Sequence, residues 1–206
     1  MRNDQGDEMQ QTFQSAGGLQ GKRIAITRAG EQASSLIEKL RALGAEPIVC
    51  STISIVPPES YEAVDAALLN ITQYDWIIFT SVNGVTAFMD RYLAFGVPIK
   101  LLSHVRIGVV GPTTAEVLGK YGVTPVVVPK SFVAHALIDA LGTQVMGKKV
   151  LLPRANIAKN DLPTALRKNG ALVDEIVVYR TEPGEGITDL LAQVQAETLD
   201  AITFAS

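Results

Sequence analysis

The sequence predicts an α/β protein made of parallel, doubly wound sheets, and three patterns predict it. Short runs rich in Ile and Val recur along the chain, several apolar almost throughout, as strands covered on both faces require. Amphipathic helical runs of about ten residues separate them, which implies βαβ units. Long segments of the chain also repeat each other in order.

The strands are expected at Arg23–Thr27, Pro47–Val56, Trp76–Thr80, Arg106–Val110, Pro125–Val128, Lys149–Leu152, Asp174–Tyr179 and Ala201–Ala205. Helices are expected at Gln32–Leu43, Tyr61–Leu69, Thr113–Tyr121, Ala134–Leu141 and Leu162–Asn169. In the first, Leu36, Leu40 and Leu43 share a face. Gly44, Gly122 and Gly170 each follow a helix, where a left-handed C-cap is expected. Two stretches, Pro47–Val56 and Asp174–Tyr179, run on into Pro57-Pro58 and Thr181-Glu182-Pro183-Gly184. They read as long connections between lobes that pair as a two-stranded hinge.

The repeat sets the domain organisation. GKRIAITR at 21–28 returns as GKKVLLPR at 147–154, and Leu40, Arg41, Gly44 and Ala45 return as Leu166, Arg167, Gly170 and Ala171. Asp75–Ser81 returns as Asp200–Ser206 with four of seven residues identical, which periodicity alone does not produce. The expectation is two similar lobes. Residues 21–46 with 184–206 form the first, 58–172 the second, and 47–57 with 173–183 the linker strands. Residues 1–20, polar and without the apolar core of a signal peptide, read as a disordered leader. The second copy of the repeat stops at Ser206, the equivalent of Ser81, so the first lobe is expected to be incomplete and any activity of the 206-residue chain impaired.

Composition narrows the chemistry. The net charge of -3 argues against a nucleic-acid partner. The single cysteine, Cys50, and two widely separated histidines, His104 and His135, offer no metal-ligand spacing. No apolar run reaches membrane-spanning length, and a cytoplasmic monomer is expected. The Gly108-Val109-Val110-Gly111 stretch lacks the dinucleotide fingerprint, no P-loop lysine follows it, and no nucleophile elbow is present. No organic cofactor is expected. What remains are three strand-to-helix turns: Thr80-Ser81-Val82-Asn83-Gly84, Gly111-Pro112-Thr113-Thr114 and Pro153-Arg154-Ala155-Asn156. In such folds ligands bind at these turns, where helix N-termini offer amides to anions. With Arg28, Lys130, Arg154 and Lys159 nearby in the chain, the set suits a polyanionic organic ligand. A two-lobed anion-binding module without catalysis uses the same features. A Rossmann-type nucleotide enzyme would need the glycine fingerprint that is missing.

The strings IIFTSVNGV (77–85), IGVVGPTTAEVL (107–118), VLLPRANIAKNDLPTALRKNGALVDEIVVYRTEP (150–183) and the final AITFAS together resemble the uroporphyrinogen-III synthase family. The resemblance runs in order from about Lys22 to Ser206. It implies two Rossmann-like or flavodoxin-like lobes joined by a two-stranded linker. It also implies cofactor-free closure of hydroxymethylbilane to uroporphyrinogen III, with loss of water and inversion of the last pyrrole ring through an azafulvene and a spiro intermediate. The tyrosine of the VVY segment, Tyr179, is then the acid/base candidate. Thr80, Ser81, Val82, Gly111, Thr113 and Thr114 become the substrate-binding positions, with Arg154 added from the basic inventory.

Overall fold

The structure is a computed structural model that describes residues 18–28, 31–131 and 134–204. Residues 1–17 of the expected leader, and Ala205 at the end of the last expected strand, lie outside the described residues. The chain falls into two compact units. One comprises the residues up to Ser54 together with those from Glu182 on, and the other is Ile55–Thr181.

The larger unit is built on a five-stranded sheet. Its strands are β3 (Ile53–Val56), β4 (Trp76–Phe79), β5 (Arg106–Val109), β6 (Lys149–Ala155) and β7 (Leu172–Pro183), in the order β3-β7-β6-β4-β5. β4 lies parallel between β5 and β6, and β6 is parallel to β7. All four residues of β4 are buried because both faces of the sheet are covered. Ile77 and Phe79 face a core shared with α2 (Glu62–Leu69), α3 (Val82–Phe95) and α4 (Pro112–Lys120). Trp76 and Ile78 face the other side, against α5 (Ala134–Leu141) and α6 (Asp161–Lys168). This alternation of neighbours along one strand is the strand period of two put to use on both faces.

The smaller unit has a three-stranded parallel sheet, β2-β1-β8, from β2 (Glu46–Val49), β1 (Arg23–Ile26) and β8 (Ala201–Thr203). Helix α1 (Glu31–Ala42) supplies Leu40 to a small core with Ile24, Ile26 and Ala45. Helix α7 (Gly186–Gln195) buries no side chain completely.

Four expectations are corrected. The run Pro47–Val56 is not one strand. It breaks at Cys50–Thr52, where Cys50 N–H and Thr52 N–H follow β1 while Ser51 Oγ turns to donate to Ile53 O. β2 therefore stays with β1 and β3 joins the other sheet beside β7. The Pro125–Val128 strand reduces to one bridge, Gly108 to Val127. Pro125 and Pro129 bracket it and have no N–H to extend a ladder. Two helices were not expected, α3 and α7. In α3, Gly84, Val85, Phe88, Met89 and Tyr92 are buried at helical spacing, and this packing overrides the poor intrinsic propensity of Gly, Val and Thr.

Candidate functional site

The carboxyl ends of β4 and β5 carry the first two turns, but the third, expected at Pro153-Arg154-Ala155-Asn156, is corrected: β6 runs on through Ala155, paired with β7, and the chain turns only at Asn156. Phe79 pairs with Val109, and Val110 N–H donates to Phe79 O at 3.1 Å, so the turns after β4 and β5 are neighbours by register. Ser81 is the N-cap of α3 in extended backbone, and its Oγ accepts from Gly84 N at 3.0 Å. Gly111 caps α4 without a side chain, and Pro112 stands in its first turn. The first turn of α4 thus leaves amide donors without side-chain acceptors. Thr113 is exposed there, whereas Thr114 is buried.

Tyr179 comes from β7, two strands from β4. Its hydroxyl nevertheless lies 3.2 Å from Ser81 Oγ, across 98 residues of sequence. Two strand spacings make about 10 Å, and a phenol is long enough to lean over the intervening strand. Gly84 leaves it the room. A Cβ on Gly84 would stand 3.1 Å from Ser81 Oγ, 3.6 Å from Pro153 O and 4.0 Å from Tyr179 Cε1. Because Ser81 Oγ already accepts from the Gly84 amide, its own proton is available for the phenol oxygen.

Two cavities of this unit adjoin these residues. One of about 360 Å³ is lined by Tyr179, Val178, Pro57, Tyr61 and Arg91 among others. There Arg91 is held by Asp65 at 2.7 and 2.6 Å and lies over the Tyr61 ring. Another of about 210 Å³ is lined by Thr80, Leu152, Arg154, Lys159, Asp161 and Leu162 among others. Thr80 and Val82 flank Ser81, Thr80 exposed and Val82 half-buried.

Arg154 is placed differently from a free cation. It is buried, ion-paired with Glu175, and donates to the carbonyls of Ala158 and Lys159. Glu175 is shared with Arg167 at 2.8 Å. Sequence order alone could not reveal this, because the partner carboxylate sits on the neighbouring strand. Asn156 is a further residue of interest, since it bonds to β7 on both sides of Arg180. Among the described residues no group of three or more His, Cys, Asp or Glu could hold a metal ion, and no helix is long and apolar enough to cross a membrane.

A doubly wound α/β protein that presents hydroxyls and helix-start amides at its strand ends, without a nucleotide loop, is the class these features define. A family model described as uroporphyrinogen-III synthase HemD matches residues 34–206. The chain is 35% identical over 192 residues to the uroporphyrinogen-III synthase of Synechococcus elongatus, covering 91% of this chain and 72% of that one. It is 34% identical over 190 residues to the porphyrin biosynthesis protein HemD of Ruminiclostridium josui, covering 91% of this chain and 38% of that one. A crystal structure of mutant uroporphyrinogen III synthase from Thermus thermophilus shares the fold. Its TM-score is 0.68 at 22% identity, over 90% of this chain and 73% of that one. This chain belongs to the uroporphyrinogen-III synthase family, cyclising lyases of tetrapyrrole biosynthesis.

Proposed function

We propose that the protein carrying this chain closes hydroxymethylbilane to uroporphyrinogen III, with Tyr179 as the proton donor to the departing hydroxyl. The contact between Tyr179 OH and Ser81 Oγ at the start of α3 carries this reading. The terminal hydroxymethyl C–O bond breaks heterolytically, and the pyrrole nitrogen lone pair supplies the electrons. The hydroxyl leaves as water with the phenol proton. Ser81, holding the Gly84 amide on one lone pair, keeps its proton and donates a hydrogen bond to the phenolate left behind. The last pyrrole ring attacks the azafulvene carbon through its substituted α-carbon, which forms a spiro intermediate. The bond from that α-carbon to its old methylene bridge then breaks, leaving a second azafulvene on the neighbouring ring, and the free α-carbon of the inverted ring attacks it to form the last C–C bond. The proton lost from carbon when aromaticity returns restores the phenol, so the net loss is one water.

The substrate's acetate and propionate groups suit the hydroxyls and open amides of Thr80, Ser81, Val82, Gly111, Thr113 and Thr114. Neutral donors at helix starts bind carboxylates without requiring buried cations. Arg154, being internally paired, acts in this reading by holding the turn after β6, not by contacting carboxylates. The test is an assay of the whole protein on freshly made hydroxymethylbilane, with product isomers separated by chromatography. Type III product above the spontaneous type I is expected. Only type I product from well-folded protein overturns the reading and favours a binding module.

A further inference from the structure

We propose that Asn156 is a positioning residue for Tyr179, acting through the backbone of β7; this rests on the reading of Tyr179 as the proton donor. The register of β6 and β7 slips between Arg154 and Ala155. Arg154 pairs with Val177, but Ala155 pairs with Tyr179, so Val178 is passed over. A bulge of this kind breaks the strict in-and-out alternation and re-aims side chains. Val178 and Tyr179 are consequently both buried in the same core, whereas Val177 before them is exposed. Without the slip, strand alternation would send Tyr179 to the Val177 side, away from Ser81.

A bulge at a strand's end needs something to hold it, because β6 stops one residue later. The chain turns at Asn156, with Ala158 N–H bonded to Ala155 O at 3.2 Å. In a parallel ladder a residue donates its N–H to one neighbour and accepts, through its own carbonyl, from the residue two further along. Asn156 performs the first half with its main chain, donating to Tyr179 O at 3.3 Å. It performs the second half with its side chain, as Oδ1 accepts from Thr181 N at 2.9 Å. The amide oxygen stands in for a main-chain carbonyl, adding one rung after the chain has turned. That rung grips the peptides on both sides of Arg180 and fixes the backbone from which the Tyr179 phenol reaches to Ser81. Asn156 is itself exposed and contributes nothing to a core, so its role is separable from stability.

The experiment compares Asn156→Ala, Asn156→Asp, Tyr179→Phe and the Asn156→Ala/Tyr179→Phe double variant in the whole protein, with kcat and KM on fresh hydroxymethylbilane. Asn156→Ala is expected to lose roughly tenfold in kcat, less than the ~10²-fold that a 1 Å misplacement can cost, with KM nearly unchanged. Asn156→Asp keeps an oxygen acceptor for Thr181 N–H and restores kcat. In the Tyr179→Phe background Asn156→Ala has no further effect, because the two act through one group. Full kcat in Asn156→Ala beside an impaired Tyr179→Phe overturns the positioning role. A loss that Asn156→Asp does not restore, or one that adds fully to Tyr179→Phe, overturns it as well. Full kcat in Tyr179→Phe rejects the proton-donor reading itself, and the positioning role falls with it.

Discussion

The two ends of the five-stranded sheet are built from different chemistry. At the amino end, charges are consumed in pairs. Asp75 takes Lys148 Nζ and Lys149 N, both at 2.9 Å, and Asp174 takes Tyr74 OH at 2.9 Å and Lys149 Nζ at 3.4 Å. Burial and the Asp174 carboxylate push the Tyr74 phenol far above its usual range, so it is a fixed donor and not an acid. At the carboxyl end, the side chains at the turns after β4 and β5 are neutral and small, and the first turn of α4 is uncapped. Arg154, beside Thr80, is spent on its own loop and Glu175. A saturated end anchors the strands. An end with donors to spare has capacity for a ligand.

Substitutions at the two ends should therefore separate activity from stability. The largest effect is expected from Tyr179→Phe, a fall in kcat of about 10²-fold, the low end for a lost general acid because water can substitute. Its stability should change by only about 1 kcal/mol, one hydrogen bond, and urea denaturation beside the kinetics checks both. An unchanged kcat would erase the functional half of the comparison.

Gly84→Ala comes next. The new methyl crowds Ser81 Oγ and leaves the fold intact, and alanine is the better helix former by about 1 kcal/mol. Activity should fall several-fold while thermal stability holds or rises, opposite signs that a purely structural glycine would not give.

At the amino end, Asp75→Asn should leave kcat alone and cost stability. The Lys149 amide, then Lys148, hold the Asp75 carboxyl below its usual range. A depressed folded value means the stabilisation is complete above the unfolded value of about 3.9 and is lost as pH falls through the folded one. The expected cost at pH 7 is about 1 kcal/mol, kept small because a third of the side chain is in solvent. The gap to the parent should close in acid, which urea melts across pH 2–7 would show. The smallest effect is expected from exhaustive chelation, which should leave type III product formation unchanged; restoration of a lost activity by one metal would contradict this.

Much of this molecule was legible in its sequence because local rules govern those parts. Apolar runs and helical spacing identified most elements, and glycine C-caps closed several helices. α3 escaped because its sequence begins with Val, Asn, Gly, Val and Thr, and only burial of Phe88, Met89 and Tyr92 makes a helix of it. The Pro47–Val56 run looked continuous because periodicity carries no information about which sheet a strand will join. The chain by itself determined the α/β class and the turns after β4 and β5, since these follow from hydrophobic period and turn chemistry between near neighbours. Tertiary structure alone decided that Ser81 meets Tyr179, that a slipped register turns Tyr179 inward, and that Arg154 is already paired. Each of those depends on contacts between strands far apart in sequence, where distance in space is set by sheet order and register.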